Sequence, residues 1–307
     1  MAAPQDPVAL VVGESLVDIV NPADGDIKEY AGGSAANVAV ALARLGRTVR
    51  FATSYADDER GRLIADHLES AGVELATDPG AIERTSTAEA TIGVDGAADY
   101  EFDLEWRLNP VGTDPAPVVV HTCSLGAVLM PGADDVHDLL QRLRESATVT
   151  YDINARPAIT GTGPDLLDRV ERMAGVADLV RASDEDLEAL YPQLDLVTAA
   201  QRLLTLGPVA VVVTRGGEGA FWVADSHSVE VASRPVEVAD TIGAGDTFGA
   251  ALIDALWEAG YLGADRREAL RDLTRDEIEG FLHHAARAAA VTVSRPGADP
   301  PYRHELP

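Results

Sequence analysis

The strongest chemical signal in the sequence is a short glycine-rich stretch late in the chain. Gly243, Ala244 and Gly245 stand at the start of a predicted helix over residues 244–259, and Asp246 follows them directly. Free N–H groups and the positive end of the helix dipole converge at a helix start, which favours an anion and most often a phosphate. A carboxylate inside such a site makes sense if it accepts a proton from an attacking hydroxyl. The stretch therefore indicates phosphoryl transfer with Asp246 as the base. The alternative is that Asp246 only caps the helix.

Two other phosphate-binding motifs do not fit this stretch. Phe248 occupies the position at which a dinucleotide-binding fingerprint places its third glycine. Lys28 is the only lysine of the chain, and it lies outside any G-x-x-x-x-G-K motif. A Walker lysine is therefore absent, and a protein-kinase fold is disfavoured. The predicted anion site must use backbone groups and a metal ion instead.

Two further stretches could contact ligands. Residues 32–37 read Gly-Gly-Ser-Ala-Ala-Asn and open a predicted helix over 34–45. Asn37 in its first turn can donate and accept hydrogen bonds, which suits a ligand with several hydroxyls. Residues 214–219 end a predicted strand and contain three glycines. The alternatives are a structural turn with an exposed asparagine for the first stretch and a hairpin turn for the second, and both stay open.

The elements that position these stretches alternate between short buried strands and helices. Strands are predicted over residues 8–12, 48–53, 118–121, 148–152, 179–181 and 209–214. Helices are predicted over residues 34–45, 59–71, 134–144, 244–259 and 276–293, with another that Ser183 could cap. This alternation predicts a mostly parallel sheet with helices on both faces, whose ligands gather at the carboxyl ends of the strands.

Two stretches interrupt this rhythm. Residues 15–31 and 85–110 lack a helical period, and the alternation of apolar and acidic residues in the second indicates half-buried strands. We therefore expect one α/β domain over residues 1–307, with a small β-rich lid formed by about 14–31 and 85–112.

Charge and cysteine content exclude several classes of partner. The chain has 24 Lys+Arg and 51 Asp+Glu, a formal net charge of −27, which disfavours nucleic acid and anionic lipid. Cys123 is the only cysteine, so an intrachain disulfide and a cysteine-based zinc site are excluded, and we interpret it as a small buried hydrophobe. Residues 1–7 carry no basic group, and no apolar run approaches the roughly 20 residues of a membrane helix. We expect a cytoplasmic protein without a nucleic-acid or membrane partner.

Taken together, the glycine-rich stretches resemble the ribokinase-like carbohydrate kinases, the PfkB family, and their motifs are closest to those of fructokinases. The resemblance runs from residue 8 to about residue 301 and includes both family signatures, at residues 32–37 and 240–248, in the family's order. It implies a three-layer α/β sandwich with a mostly parallel sheet and a β-lid over the sugar. It also implies transfer of a phosphoryl group from ATP and Mg²⁺ to a sugar hydroxymethyl, and in many members a homodimer formed through the lid.

The resemblance assigns roles to individual residues. Asp246 would be the catalytic base, with Gly243, Ala244 and Gly245 as the anion hole. The sugar would be held by Asp18, Gly33 and Asn37. The ATP site would include Thr214, Gly216, Gly219 and, in the C-terminal loop, Gly297. Asp240 sits where some members hold a monovalent cation such as K⁺.

One segment departs from the family pattern. The family usually shows Asn-x-x-Glu near a metal, whereas this chain has Ser183-Asp184-Glu185-Asp186. Asp186 could replace the glutamate as a ligand that reaches Mg²⁺ through water. The alternative is a capped helix with an acidic first turn.

The choice of sugar depends on two segments. Asn154 and Arg156 lie in a motif shared by fructokinases and 2-keto-3-deoxygluconate kinases, and Arg156 could meet the sugar, the ATP phosphates or a structural ion pair. In the lid, Tyr100 and Asp103 are candidate sugar contacts, and the surrounding acidic residues would repel a sugar acid. We therefore expect fructose. The alternatives are 2-keto-3-deoxygluconate, ribose or a nucleoside, and, in a different class, a non-catalytic sugar or nucleotide sensor.

Overall fold

The computed structural model describes residues 7–22, 25–92, 98–225 and 227–306. The strands of the described chain are β1 (Val8–Val12), β2 (Leu16–Asn21), β3 (Lys28–Gly32), β4 (Thr48–Ala52), β5 (Glu74–Leu75), β6 (Thr87–Ile92), β7 (Ala98–Asp103), β8 (Val119–Cys123), β9 (Thr148–Asp152), β10 (Leu179–Ser183), β11 (Ala210–Thr214), β12 (Ala220–Ala224) and β13 (Ser228–Val231). Its α-helices are α1 (Ser34–Arg44), α2 (Glu59–Ser70), α3 (Ser124–Val128), α4 (Gly132–Leu143), α5 (Pro157–Thr160), α6 (Pro164–Ala174), α7 (Asp184–Leu190), α8 (Leu196–Leu204), α9 (Ala244–Glu258), α10 (Arg267–Arg271) and α11 (Arg275–Val293).

The large sheet has the order β13-β12-β11-β10-β9-β8-β1-β4-β5. Its strands run parallel from β11 to β5, so the predicted mostly parallel sheet is confirmed. At one edge, β12 runs antiparallel to β11 and β13 runs antiparallel to β12. The connection after Thr214 is therefore a hairpin turn, one of the two alternatives left open by the sequence, because a parallel return needs a crossover of about a dozen residues.

Helices cover both faces of this sheet, as expected of a three-layer sandwich. One face packs against α3, α4, α6, α7 and α8. The other face packs against α1, α2, α9 and α11. The inner strands are buried on both faces and therefore read as continuous apolar runs. The predicted fold class is confirmed.

A second, smaller sheet has the order β3-β2-β6-β7. Val17 and Ile19 on one face of β2 are buried in the core together with residues of α1 and α2. The opposite face carries Asp18, which lies in register with Tyr30 on β3 and, through β6, with Phe102 on β7.

Some element boundaries differ from those predicted from the sequence. The strand expected at residues 179–181 continues to Ser183, because β10 stays paired with β11 as far as Thr214. Ser183 then caps α7 as expected. Among the described residues, no helix is long and apolar enough to cross a membrane.

Candidate active site

The carboxyl ends of the parallel strands and the first turns of two helices meet at one edge of the large sheet. Glu14 follows β1, Asn154 follows β9, Asp186 follows β10 and Thr214 ends β11. Asp246 lies in the first turn of α9 and is 6% exposed. Ligands of open α/β sheets bind at this edge.

Three donors hold the carboxylate of Asp246. The Ser34 hydroxyl donates to Oδ1 over 2.6 Å, and Asn37 Nδ2 donates to Oδ2 over 2.8 Å. Asn154 Nδ2 lies 3.3 Å from Oδ1 and also donates to Ser34 Oγ over 2.8 Å. Residues from α1 and from the loop after β9 therefore fix the orientation of this carboxylate as a hydrogen-bond acceptor.

The start of α1 reaches Asp246 because of a glycine. Gly33 has φ 101°, a conformation that favours glycine, and a Cβ there would lie 2.8 Å from the Glu14 carbonyl oxygen. This close packing sets the first turn of α1 against the turn after β1. Ser34 and Asn37 are three residues apart, so they share the helix face that meets Asp246.

The first turn of α9 provides free N–H groups. Gly243 precedes the helix and Ala244 begins it, so the N–H groups of Gly245 and Asp246 have no intrahelical acceptor. These groups and the helix dipole favour an anion beside the Asp246 carboxylate. The arrangement can accept a proton from a bound hydroxyl and stabilise negative charge next to it.

Asp240 links the loop before α9 to the C-terminal loop. Its Oδ1 accepts from the Ile242 N–H over 3.0 Å, and its Oδ2 accepts from the Gly297 N–H over 2.8 Å. Burial raises the pKa of Asp240, but these backbone hydrogen bonds outweigh burial and hold the pKa below its usual value. Asp240 and Gly297 are thus brought together, and the role of Asp240 toward a monovalent cation stays a prediction.

Asp186 is used inside the fold. Its Oδ1 accepts from the Ala155 N–H over 2.7 Å, and its Oδ2 accepts from the Ser183 N–H over 2.7 Å. Asp186 N–H in turn donates to Ser183 Oγ, which completes a capping box at the start of α7. No group of three or more His, Cys, Asp or Glu among the described residues is arranged to hold a metal ion. The contact of Asp186 with Mg²⁺ stays a prediction.

Two more carboxylates lie near Asp246 on the side of the small sheet. Burial raises the pKa of Asp18 to about 6 and that of Glu14 to about 7, and in both cases the Arg156 charge opposes the shift while Asp246 adds to it. Glu14 Oε2 also accepts from the Gly126 N–H over 2.6 Å. Three carboxylates and one guanidinium therefore share this side of the site.

Arg156 also supports Asn154. Its Nη1 donates to Asn154 Oδ1 over 2.6 Å and to the Ala155 carbonyl over 2.9 Å. Asn154 has φ 38°, a left-handed conformation that asparagine tolerates better than most residues. The backbone conformation and the Arg156 contact together aim Nδ2 of Asn154 at Asp246.

The two predicted lid residues lie on opposite faces of the small sheet. Tyr100 is 60% exposed, lies on the Asp18 face and stacks on Phe102 with ring centroids 6.0 Å apart. Asp103 lies opposite Thr87 on the Val17 face. Its Oδ2 lies 3.0 Å from Nη1 of Arg84. The structure does not bring Asp103 to the site.

Two of the acidic lid residues therefore do not share a face with Asp18. Glu101 and Asp103 are two residues apart, so both point away from the Asp18 face. The negative charge near the predicted sugar position comes instead from Asp18 and Asp246, because burial raises the pKa of Glu14 to about 7.

The predicted ATP segment after β11 is a hairpin turn. Gly216 begins a short 3₁₀ turn over Gly216–Glu218, and Gly219 leads into β12. Thr214 Oγ1 accepts a hydrogen bond from Arg181 on the neighbouring strand, β10. The contact of these residues with a nucleotide stays a prediction.

Sequence reasoning missed Ser34, Glu14 and Arg181. Arg181 could have been noticed, because it is the only charged residue in an otherwise uncharged strand, Leu-Val-Arg-Ala-Ser. Glu14 similarly follows five buried apolar residues and one glycine. For Ser34 the signal is weak, because a hydroxyl in the first turn of a helix is usually a local cap.

Comparisons with known proteins show the family of the chain. Residues 8–305 match the pfkB family of carbohydrate kinases. The chain is 35% identical over 260 residues to a fructokinase of Rhizobium leguminosarum bv. trifolii, covering 80% of this chain and 79% of that protein. It is 26% identical over 313 residues to an aminoimidazole riboside kinase of Salmonella typhimurium, covering 92% and 97%. The crystal structure of a fructokinase with bound ATP from Xylella fastidiosa has a TM-score of 0.79 and 25% identity, covering 95% of this chain and 93% of that one.

The resemblance predicted from the two signatures is thereby confirmed over nearly the whole chain. The match includes the loop before α9, the start of α1 and the carboxyl edge of the sheet. An enzyme is supported over a non-catalytic sensor. The chain belongs to the pfkB family of carbohydrate kinases and is an ATP-dependent phosphotransferase.

Proposed function

We propose that this protein is a fructokinase that transfers the γ-phosphoryl group of ATP to a hydroxymethyl group of fructose. The observation that carries the proposal is the Asp246 carboxylate, held by Ser34, Asn37 and Asn154 beside the free N–H groups of α9. A hydroxyl brought to this carboxylate can lose its proton as it attacks the phosphoryl group. The fructokinase relative at 35% identity supports the choice of sugar.

In this proposal the sugar lies between the large and small sheets. Asp18 accepts hydrogen bonds from its hydroxyls, and Asn37 and Asn154 orient it while they hold Asp246. Gly33 keeps the start of α1 close enough for these contacts. Movement of the small sheet toward the site would exclude water and so limit wasteful hydrolysis of ATP.

The nucleotide in this proposal lies along the hairpin after β11, with Thr214, Gly216 and Gly219 on one side and Gly297 on the other. Its γ-phosphate meets Gly243, Ala244 and Gly245. The N–H groups of α9 stabilise the charge that develops on the phosphoryl oxygens. No lysine does so in this proposal, since the single lysine, Lys28, lies on β3 of the small sheet.

We propose Mg²⁺ as the metal, carried by the ATP phosphates. Mg²⁺ usually keeps several waters and needs only one or two carboxylates besides phosphate oxygens. Asp186 fits this requirement, because each of its oxygens accepts one backbone N–H and a carboxylate has about four acceptor positions. The metal would neutralise phosphate charge.

Asp240 is proposed to stand beside a monovalent cation. A comparison of the rates in K⁺ and in a tetraalkylammonium salt would test this role.

Charge near the site favours a neutral sugar. Asp18 and Asp246 outnumber Arg156, so a sugar acid would meet net repulsion above about pH 6, where Asp18 is ionised. A second candidate is a riboside, because an aminoimidazole riboside kinase is 26% identical to this chain. Ribose and 2-keto-3-deoxygluconate are the other candidate substrates.

We further propose that two copies pair through the small sheet. Tyr30 and Tyr100 are 52% and 60% exposed, and both lie on the Asp18 face. Exposed aromatic side chains on one sheet face are typical of an interaction surface. Light scattering should give twice the chain mass, and a monomer at every concentration would contradict pairing.

A sugar panel tests the substrate. ADP release with Mg²⁺ is measured on fructose, ribose, aminoimidazole riboside, other nucleosides and 2-keto-3-deoxygluconate. The proposal expects the highest kcat/KM on fructose. A higher value on a riboside would replace the substrate but keep the reaction, and a higher value on the sugar acid would contradict the charge argument.

A further inference from the structure

Arg181 is a buried cation in the middle of β10 that the proposed chemistry has not used. It is 8% exposed. Its Nη1 lies 3.1 Å from both carboxylate oxygens of Asp152, and its Nη2 donates to the Thr214 hydroxyl. Its Nε has no hydrogen-bond partner among the described residues. The guanidinium is thus held between the last residue of β9 and the last residue of β11.

The same guanidinium lies against the first turn of α9. A Cβ placed on Gly245 would be 2.9 Å from Arg181 Nη1 and 3.1 Å from Nη2. Glycine at this position is what allows the charged group to approach the helix backbone. The positive charge is therefore added to the helix end that already favours an anion.

A buried ion pair is costly to keep. Removing both charges from water costs free energy, and their attraction offsets this cost only when the geometry is good. Apolar replacements of such pairs are often neutral or stabilising. Fold stability alone is therefore a weak reason for Arg181 and Asp152 at this place.

We propose that Arg181 is a positioning residue for phosphoryl transfer, which holds positive charge against the first turn of α9 and fixes the Thr214 hydroxyl on the nucleotide side. The inference rests on the proposed function, because it assigns the anion at α9 to the γ-phosphate of ATP. Arg181 acts through Gly245 and Thr214 and touches neither the base nor the sugar side.

The chain offers a matched control at the opposite end of the same strand. Asp178 precedes β10, is fully buried and accepts from Arg267 Nε over 2.7 Å. Asp178 also accepts from Arg144 Nε over 3.4 Å, and Arg267 is partly exposed. Like Arg181 and Asp152, this is a contact between a guanidinium and a buried carboxylate, but it lies at the amino edge of the sheet. Arg267→Met therefore removes one such contact without touching the anion site.

The test compares Arg181→Met, Arg181→Lys, the double variant Arg181→Met/Asp152→Asn and Arg267→Met, on whichever sugar the wild type turns over fastest. We expect kcat to fall by roughly 10- to 100-fold in Arg181→Met, by less in Arg181→Lys, and to stay near wild type in Arg267→Met. The double variant should regain thermal stability without regaining kcat. Recovery of kcat together with stability would overturn the proposal, as would an equal loss of kcat in Arg267→Met.

A binding measurement separates this inference from the proposed function. Calorimetry measures the affinities for adenylyl imidodiphosphate and for ADP. The first carries a phosphoryl group at the γ position, and ADP lacks it. Arg181→Met should remove most of the preference for the triphosphate analogue, and an unchanged preference would overturn the inference. A wild type that binds both nucleotides but phosphorylates no sugar would instead contradict the proposed function.

Discussion

The two sides of the site are built differently. The anion side is made from the large sheet and the buried first turns of α1 and α9, and Asp246 is fixed there by three donors. The sugar side includes a thin sheet of four strands whose Asp18 face carries the exposed side chains of Tyr30 and Tyr100. The reacting groups are thus placed by the core, whereas the substrate contacts lie on a small sheet that packs on the core through β2 and exposes most of β3.

The largest expected effect is on the anion side. Asp246→Asn keeps the shape but removes the proton acceptor, so kcat should fall by about 10²- to 10⁴-fold while the sugar affinity is roughly kept. Steady-state kinetics and calorimetry with fructose measure the two quantities. A folded variant with near-normal kcat would refute the assignment of the base.

A smaller loss is expected when one donor to the base is removed. Ser34→Ala deletes a hydrogen bond to the Asp246 carboxylate, so kcat should fall by about 10-fold with little change in KM for ATP. Ser146→Ala is the control, because that hydroxyl donates to the Leu143 carbonyl near the amino edge of the sheet, away from Asp246. Equal kcat in the two variants would show that Ser34 does not position the base.

The sugar side should respond in KM rather than in kcat. Tyr100→Ala removes an exposed ring on the Asp18 face, so KM for fructose should rise a few-fold. Asp103→Asn is the matched variant on the opposite face of the same strand and should leave KM unchanged. If Asp103→Asn raised KM as much as Tyr100→Ala, the assignment of the two faces would be incorrect.

The smallest expected effect is on stability and concerns Glu14, between the two sides. Burial raises its pKa to about 7 from an ordinary 4.5, so the folded protein keeps a proton that the unfolded chain loses. The stabilising contribution is therefore complete below pH 4.5 and is lost as the pH rises through about 7.

The change in Tm between about pH 4.5 and 8 measures this loss. Wild type should lose stability relative to Glu14→Gln as the pH rises, since glutamine does not titrate. Replacement of the exposed Glu145 by Gln is the control and should follow wild type. Parallel curves for wild type and Glu14→Gln would contradict the buried titration.

The sequence was sufficient for features that depend on local pattern. Apolar runs predicted the large sheet, and the glycines before Asp246 marked the helix start that lies at its carboxyl edge. The register between strands distant in the chain could not be predicted from the sequence. Asp103 was therefore assigned to the site, although it lies on the face of the small sheet opposite to Asp18. The contacts of Ser34 and Arg181 join residues 212 and 33 positions apart, and such pairing depends on tertiary packing.

We propose that the Asp246 carboxylate and the free N–H groups of α9 direct a phosphoryl group to a sugar hydroxyl rather than to water. Phosphorus NMR of the wild type with ATP, Mg²⁺ and fructose tests this directly, because the sugar phosphate and inorganic phosphate give separate signals. We expect a fructose phosphate signal that grows in step with ADP. Growth of inorganic phosphate in its place, or no consumption of ATP, would contradict it.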